Sequence, residues 1–166
     1  FLEVENIIFC KGIPNTKETL CFGANLFKKH YNIKSLNQNK KIFINRNKDR
    51  GRNISNIEEI INVLIKYGYE IIDNDQLSLE QQIILIQKTS NIVGIHGAGL
   101  VNMVYAYPNK IKVLELFPPN KTPTHYYWEA LELGFEYDCI LGKKAENQNF
   151  TICVDKLEAK IKMLNS

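Results

Sequence analysis

Residues 91–100, with the sequence NIVGIHGAGL, decide the fold of this chain. A β-branched run ends in a glycine-rich turn, and apolar residues then recur at helical spacing as far as Val104. The pattern predicts a strand, a tight loop and the first turn of a helix. Gly97 and Gly99 flank Ala98, which favours a sharp backbone turn and close approach by a ligand.

The start of the helix that this pattern predicts would suit an anion. Unpaired N–H groups and the positive end of the helix dipole lie there, and both favour a group such as a diphosphate. The alternative is a strand-to-helix turn that only packs, since short glycine motifs are common by chance. The neighbouring segments therefore carry much of the argument.

Strand and helix patterns alternate along the rest of the chain. Strands are predicted at residues 7–10, 41–45, 69–72, 91–95, 113–117, 135–141 and 150–154. Helices of about ten residues are predicted between most of them, with a final helix at 155–164. This alternation predicts an α/β, Rossmann-like parallel sheet with helices on both faces. Ligands of such sheets bind at the carboxyl ends of the strands.

Short signals predict where several helices begin and end. The sequences SNIE at residues 55–58 and SLEQ at residues 78–81 both have the pattern of a capping box. Thr16 is a candidate N-cap, while Gly68 and Gly134 each follow a helical pattern and are predicted to end it.

Composition limits the classes of function. The chain has 166 residues, enough for one domain, and its net charge of +3 is too small to indicate a nucleic-acid or membrane-surface partner. The four cysteines lack CxxC spacing, so we expect no metal site. Because the chain opens at Phe1 without an initiator methionine, we expect it to be part of a longer protein.

A set of motifs in fixed order resembles glycosyltransferase family 61. They are Arg46 after a strand, RNISN at 52–56, LSLEQ at 77–81, IVGIHGAGLVN at 92–102 and VLEL at 113–116. The resemblance extends from residue 41 to about residue 141. One departure is Ile57, where many members have a glutamate after the asparagine that matches Asn56.

This resemblance implies the C-terminal, nucleotide-sugar-binding half of a two-domain GT-B enzyme. Such enzymes invert the anomeric carbon, need no metal or other cofactor, and here would take a UDP-sugar as donor and a glycan or glycoprotein as acceptor. Residues 41–166 would form the donor domain, and residues 1–40 would be a remnant of the acceptor-side domain and its linker. The remaining N-terminal domain of the same chain would then be missing. The compartment would be the ER or Golgi lumen for a eukaryotic member and the cytoplasm for a bacterial capsule-type member.

Four side chains are predicted to contact the donor directly. Arg46 and Arg52 could hold diphosphate oxygens in a forked geometry, or belong to a solvated basic loop. His96 could bind a phosphate or the sugar, the alternative being a core histidine bonded to the backbone. Glu115 could hold the ribose hydroxyls, or form a salt bridge to the basic loop.

The other predicted donor-site residues are less specific. Asn53 belongs to the RNISN motif, and Gly97, Ala98 and Gly99 would offer backbone N–H groups. Gln81 could contact the donor or cap its helix, and Asn102 could do so or brace the glycine loop. The sequence DND at 73–75 imitates a metal-binding DxD motif, but Asp and Asn are also ordinary turn residues.

Two other functions are compatible with parts of the pattern. A non-catalytic nucleotide-binding or scaffold module would share the same fold. A dinucleotide-dependent oxidoreductase is disfavoured because the first strand-to-helix turn lacks GxGxxG.

Overall fold

A five-stranded parallel sheet forms the centre of the protein, whose computed structural model describes residues 16–34, 36–45, 53–120, 122–146 and 149–165. The strands are β1 (Lys40–Asn45), β2 (Tyr69–Asp73), β3 (Thr89–Ile95), β4 (Lys112–Phe117) and β5 (Glu136–Leu141). Their order is β2-β1-β3-β4-β5, and every neighbouring pair is parallel. The sheet confirms the predicted α/β, Rossmann-like fold.

Helices cover both faces of this sheet. They are α1 (Lys17–His30), α2 (Ile57–Lys66), α3 (Leu79–Gln87), α4 (His125–Leu133) and α5 (Val154–Asn165), with a 3-10 helix at Ala98–Ala106. Ile42 and Ile44 of β1 join the core under α1, α3, α4 and the 3-10 helix, while Phe43 joins the core under α2 and α5. Successive β1 residues thus point to opposite cores, as a doubly covered strand requires.

The two predicted capping boxes have different outcomes. Ser78 caps α3 through a complete capping box with Gln81, as predicted. The box at 55–58 is wrong, because α2 begins at Ile57 after Asn56 and no side chain caps it. The Asn56 side chain instead accepts from the Ile152 N–H (3.1 Å) and donates to the Ile152 carbonyl (2.9 Å). A tertiary contact therefore uses the polar group beside the predicted cap.

Helix ends and chain reversals mostly follow the sequence signals. Gly68 and Gly134 follow α2 and α4 with φ of +80° and +67°, a left-handed conformation that favours glycine. The strand predicted at 150–154 is shorter: β7 (Phe150–Thr151) pairs antiparallel with β6 (Lys143–Lys144), outside the main sheet.

The strand predicted at 7–10 and the basic loop at 46–52 lie outside the described residues. Among the described helices, none combines the length and the apolar character that crossing a membrane requires.

Candidate functional site at the carboxyl edge of the sheet

The carboxyl ends of β1 and β3 define the place where this fold binds ligands. In the order β2-β1-β3-β4-β5, the chain connections leave β1 and β3 in opposite directions, and a crevice opens between them. Asn45 ends β1, and His96 directly follows β3. Both residues therefore lie at the strand ends where the sequence argument expected the donor site.

His96 is held in place at this edge by its backbone and by aromatic rings. Its N–H donates to the Leu116 carbonyl (2.9 Å), so the β3–β4 pairing continues one residue past the strand. The imidazole stacks on Phe117, with ring centroids 5.1 Å apart and planes at 19°. The rings of His125 and Tyr126 lie 5.3 Å and 5.7 Å away, and His96 is only 8% exposed.

Glu115 holds the inner side of this imidazole. Its Oε1 lies 2.6 Å from His96 Nδ1, and its Oε2 accepts from the Tyr137 hydroxyl at 2.5 Å. Burial raises the pKa of Glu115 to about 7, while the Tyr137 hydrogen bond and the charge of His125 oppose that rise. We name the three side chains of Tyr137, Glu115 and His96 the buried triad.

The buried triad changes the role expected of Glu115. At 0% exposure and with both oxygens bonded inside the protein, this carboxylate is not placed to hold ribose hydroxyls. Its partners in the described residues are His96 and Tyr137, while the basic loop of the alternative interpretation lies outside them. A carboxylate in the apolar strand VLELF needs such partners, because buried polar groups are almost always hydrogen-bonded.

A second buried carboxyl group lies near the triad on α4. Burial, and then the charge of Glu115, raise the pKa of Glu129 to about 7. Its Oε2 is buried without a hydrogen-bond partner among the described residues. Neither Glu129 nor His125 nor Tyr137 was singled out from the sequence. One sequence feature could have indicated Tyr137. Glu115 lies in an apolar strand and needs a hydrogen-bond partner, and the next strand along the chain carries the hydroxyl of Tyr137.

The glycine loop leads into a 3-10 helix, not the expected α-helix. Ala98–Ala106 is 3-10 throughout its nine residues, and the Gly97 carbonyl accepts from the Leu100 N–H (3.0 Å) and the Tyr126 hydroxyl (2.7 Å). Gly97 is extended (φ 164°), a conformation open to any residue. The chain bends at residues 96–97, where a turn was predicted, without a backbone conformation that requires glycine at Gly97.

Gly99 packs closely against two neighbouring side chains. A Cβ at this position would lie 3.0 Å from Ile44 Cγ2 and 3.2 Å from Asn74 Nδ2. The missing side chain thus lets the loop pack against β1 and the turn after β2. Ala98 is exposed at the rim.

Asn102 and Gln81 have structural partners. Asn102 Nδ2 donates to Gln82 Oε1 (2.6 Å), and Gln82 Nε2 donates to the carbonyls of Asn74 (3.0 Å) and Leu77 (2.9 Å). This network braces the 3-10 helix against α3, the alternative considered for Asn102. The Gln81 side chain accepts from the Ser78 N–H (2.8 Å), so it serves as a cap here.

A cavity of about 570 Å³ opens on the α2 side of the same edge. Asn45, Asn53, Asn56 and Asn149 supply amide groups to its wall, and Glu58 supplies a carboxylate. The backbone N–H of Asn53 also donates to Asn149 Oδ1 (3.1 Å). The volume lies in the range of small-molecule sites.

The remaining sequence predictions concern two arginines and the DxD-like sequence at 73–75. Arg46 and Arg52 lie outside the described residues. Asp73 accepts from the Asp75 N–H (3.0 Å) in a short 3-10 turn, as ordinary turn chemistry predicts. In the described part of the chain, no group of three or more His, Cys, Asp or Glu side chains could hold a metal ion.

The fold and this edge define a Rossmann-like α/β domain with a polar site at its strand-order reversal. A family model described as glycosyltransferase 61 matches residues 4–113, about two thirds of the chain, and the chain belongs to that family. The match includes α1 and the segment before β1, and it ends within β4. A search of curated proteins found no significant match. Family membership supports a glycosyltransferase role, with donor and acceptor substrates in general.

Proposed function

We propose that this chain is the donor-binding part of an inverting GT-B glycosyltransferase that transfers sugar from a UDP-sugar to a hydroxyl of a glycan or protein. The observation that carries the proposal is that His96, the glycine loop and the 570 Å³ cavity, which reaches Ile95, all lie at the carboxyl edge of the sheet in a family 61 domain. The chemistry is displacement at the anomeric carbon, with UDP as the leaving group.

The diphosphate is assigned to the rim beside the glycine loop. Charge develops on the leaving diphosphate during displacement, and catalysis requires fixed donors and cations aimed at it. The N–H groups around Ala98 and the guanidinium groups of Arg46 and Arg52 supply these in the proposal. Arginine suits the role because its planar fork can bind two phosphate oxygens at once. The reaction then needs no divalent metal. His96, whose Nδ1 is bonded to Glu115, is assigned to a sugar hydroxyl, which its Nε2 can accept from.

The nucleoside is assigned to the cavity on the α2 side. Its amide-bearing wall offers both donors and acceptors to a uracil ring, and Asn53 is the predicted site residue that lines it. Because Glu115 is buried, the proposal gives the ribose hydroxyls to Glu58, which lines the same cavity. The base that deprotonates the acceptor hydroxyl is assigned to the acceptor-side domain of the full-length protein.

Titration calorimetry with UDP and uridine tests the donor site. Arg46→Ala is expected to weaken UDP binding about tenfold to a hundredfold, because it removes a charge-assisted interaction of about 1.5–3 kcal/mol. Uridine binding should change much less, since uridine carries no phosphate. Arg46→Lys should restore only part of the affinity, because a point charge cannot bridge two oxygens.

Two results would contradict the proposal. If Arg46→Ala affects UDP and uridine equally, or neither, Arg46 does not bind the diphosphate. If the full-length protein binds UDP but neither hydrolyses UDP-sugars nor transfers their sugar, the domain is a non-catalytic nucleotide-binding module.

A further inference from the structure

Tyr137 belongs to no predicted donor contact, yet it ends a continuous hydrogen-bonded path to His96. Its hydroxyl donates to Glu115 Oε2 at 2.5 Å, and Glu115 Oε1 lies 2.6 Å from His96 Nδ1. The path crosses two adjacent parallel strands, β4 and β5, and ends beside the glycine loop.

We propose that Tyr137 is a positioning residue that acts through Glu115 to fix the His96 proton on Nδ1. This inference rests on the proposed donor site for its functional meaning, but not for its geometry.

The chemistry of the three groups gives the direction of the effect. A phenol at its ordinary protonation state can only donate to a carboxylate, so Tyr137 occupies Oε2 as a donor. That hydrogen bond favours the ionised form of Glu115, and an ionised Oε1 can only accept from His96 Nδ1. The imidazole then carries its proton on the inner nitrogen, and the tautomer is set from inside the protein.

Removing the Tyr137 hydroxyl should weaken the preference of the His96 proton for Nδ1. Without that hydrogen bond, burial raises the pKa of Glu115 further, and Glu115 keeps its proton to a higher pH. A protonated Glu115 can donate to Nδ1, which moves the imidazole proton to Nε2. Among the described residues, other titratable groups beside the pair are His125, Tyr126 and Glu129 on α4 and Cys139 on β5.

Long-range ¹H–¹⁵N NMR of the ligand-free chain reads the His96 tautomer directly, with the signals identified by their loss in His96→Gln. At about pH 8, one unit above the Glu115 pKa of about 7, the native protein should be mainly the tautomer protonated on Nδ1. Tyr137→Phe should give a mixture, a change of at least about tenfold in the tautomer ratio. Tyr67→Phe is the matched control. It removes the hydrogen bond from the Tyr67 hydroxyl to Glu158 (2.7 Å), which joins the end of α2 to α5, and should leave the His96 tautomer unchanged.

A double-mutant cycle tests whether the effect passes through Glu115. In a Glu115→Leu background, which has no polar group to link the two side chains, the further change Tyr137→Phe should no longer alter the His96 tautomer or its titration. An effect that persists there would overturn the proposal, as would an unchanged tautomer in a folded Tyr137→Phe. If Tyr137→Phe does not fold, the native protein still tests the proposal. A native His96 protonated on Nε2 overturns the proposal. A native His96 that is protonated on Nδ1, and becomes a mixture of tautomers in Glu115→Gln, supports it.

The outcome is separable from that of the donor site. If the tautomer changes as expected but UDP does not bind to any variant, the positioning role stands and the proposed function fails. If UDP binds normally while the tautomer never responds to Tyr137→Phe, the function stands and the positioning role fails.

Discussion

Replacing Glu129 with glutamine should stabilise the protein above neutral pH. The pKa of Glu129 is raised to about 7 from an ordinary value of 4.5, chiefly by burial and then by the charge of Glu115. Its Oε2 has no hydrogen-bond partner among the described residues. Ionisation therefore places charge on a buried carboxyl group whose Oε2 has no compensating partner in the described part of the chain.

The sign follows from proton linkage. Because the folded-state pKa of this carboxyl is above its unfolded value, the folded protein binds the extra proton between the two. The penalty is absent below the unfolded pKa and is complete once pH exceeds the folded pKa. At a pH well above the folded-state pKa, the penalty for ionising Glu129 corresponds to about 3 kcal/mol of unfolding free energy. Glu129→Gln should thus gain stability over the native chain as pH rises from about 4.5 to about 7, and hold that gain above it.

Urea unfolding from about pH 5 to about pH 9 measures this difference at each pH. Glu132→Gln is the matched control on the same helix, because Glu132 is exposed and accepts a surface hydrogen bond from the Lys17 N–H (3.1 Å). Its effect should stay within about 0.5 kcal/mol at every pH. If Glu129→Gln and the native chain keep a constant stability difference across the range, Glu129 does not titrate near neutrality and the reasoning fails.

Three further outcomes follow from the packing and the proposed donor site. Gly94→Ala should cost about 1–3 kcal/mol of unfolding free energy in urea, because its Cβ would lie 2.6 Å from Cδ2 of the buried Leu100. Gly23→Ala, in open space within α1, should instead stabilise by up to about 1 kcal/mol in the same assay. UDP affinity measured by calorimetry should be unchanged by EDTA and by Asp73→Ala. If UDP binding instead requires Mn²⁺ and is lost in Asp73→Ala, the DND sequence binds a metal ion.

The fold was predictable because periodicity and chain order are local properties. Each strand of the main sheet was located to within about two residues, and alternation with helices specified a parallel sheet. The capping box at Ser78 was correct because nothing distant competes for its groups. The predicted box at 55–58 failed because Asn56 binds the backbone of Ile152, a contact 96 residues away that local patterns do not encode.

The sequence singled out His96 and Glu115 but did not predict that they contact each other. The structure brings them together, with His96 directly after β3 and Glu115 inside β4. Their mutual contact depends on the β3–β4 register, which pairs Gly94 with Glu115 and Ile95 with Leu116. A shift of one residue would turn Glu115 to the opposite core. Register is set by packing across the sheet, so the sequence alone could not show that Glu115 serves His96.

Gly94 shows why that register is stable. It pairs with Glu115 on β4, and in parallel strands paired residues point to the same face. The Leu100 side chain occupies the space that a Cβ at Gly94 would need, and Leu100 is fully buried. The glycine therefore lets the 3-10 helix close over the strand position beside the carboxylate. The same NIVGIHGAGL sequence thus supplies His96, the small residue beside Glu115 and the leucine that covers it, so packing and site geometry depend on one segment.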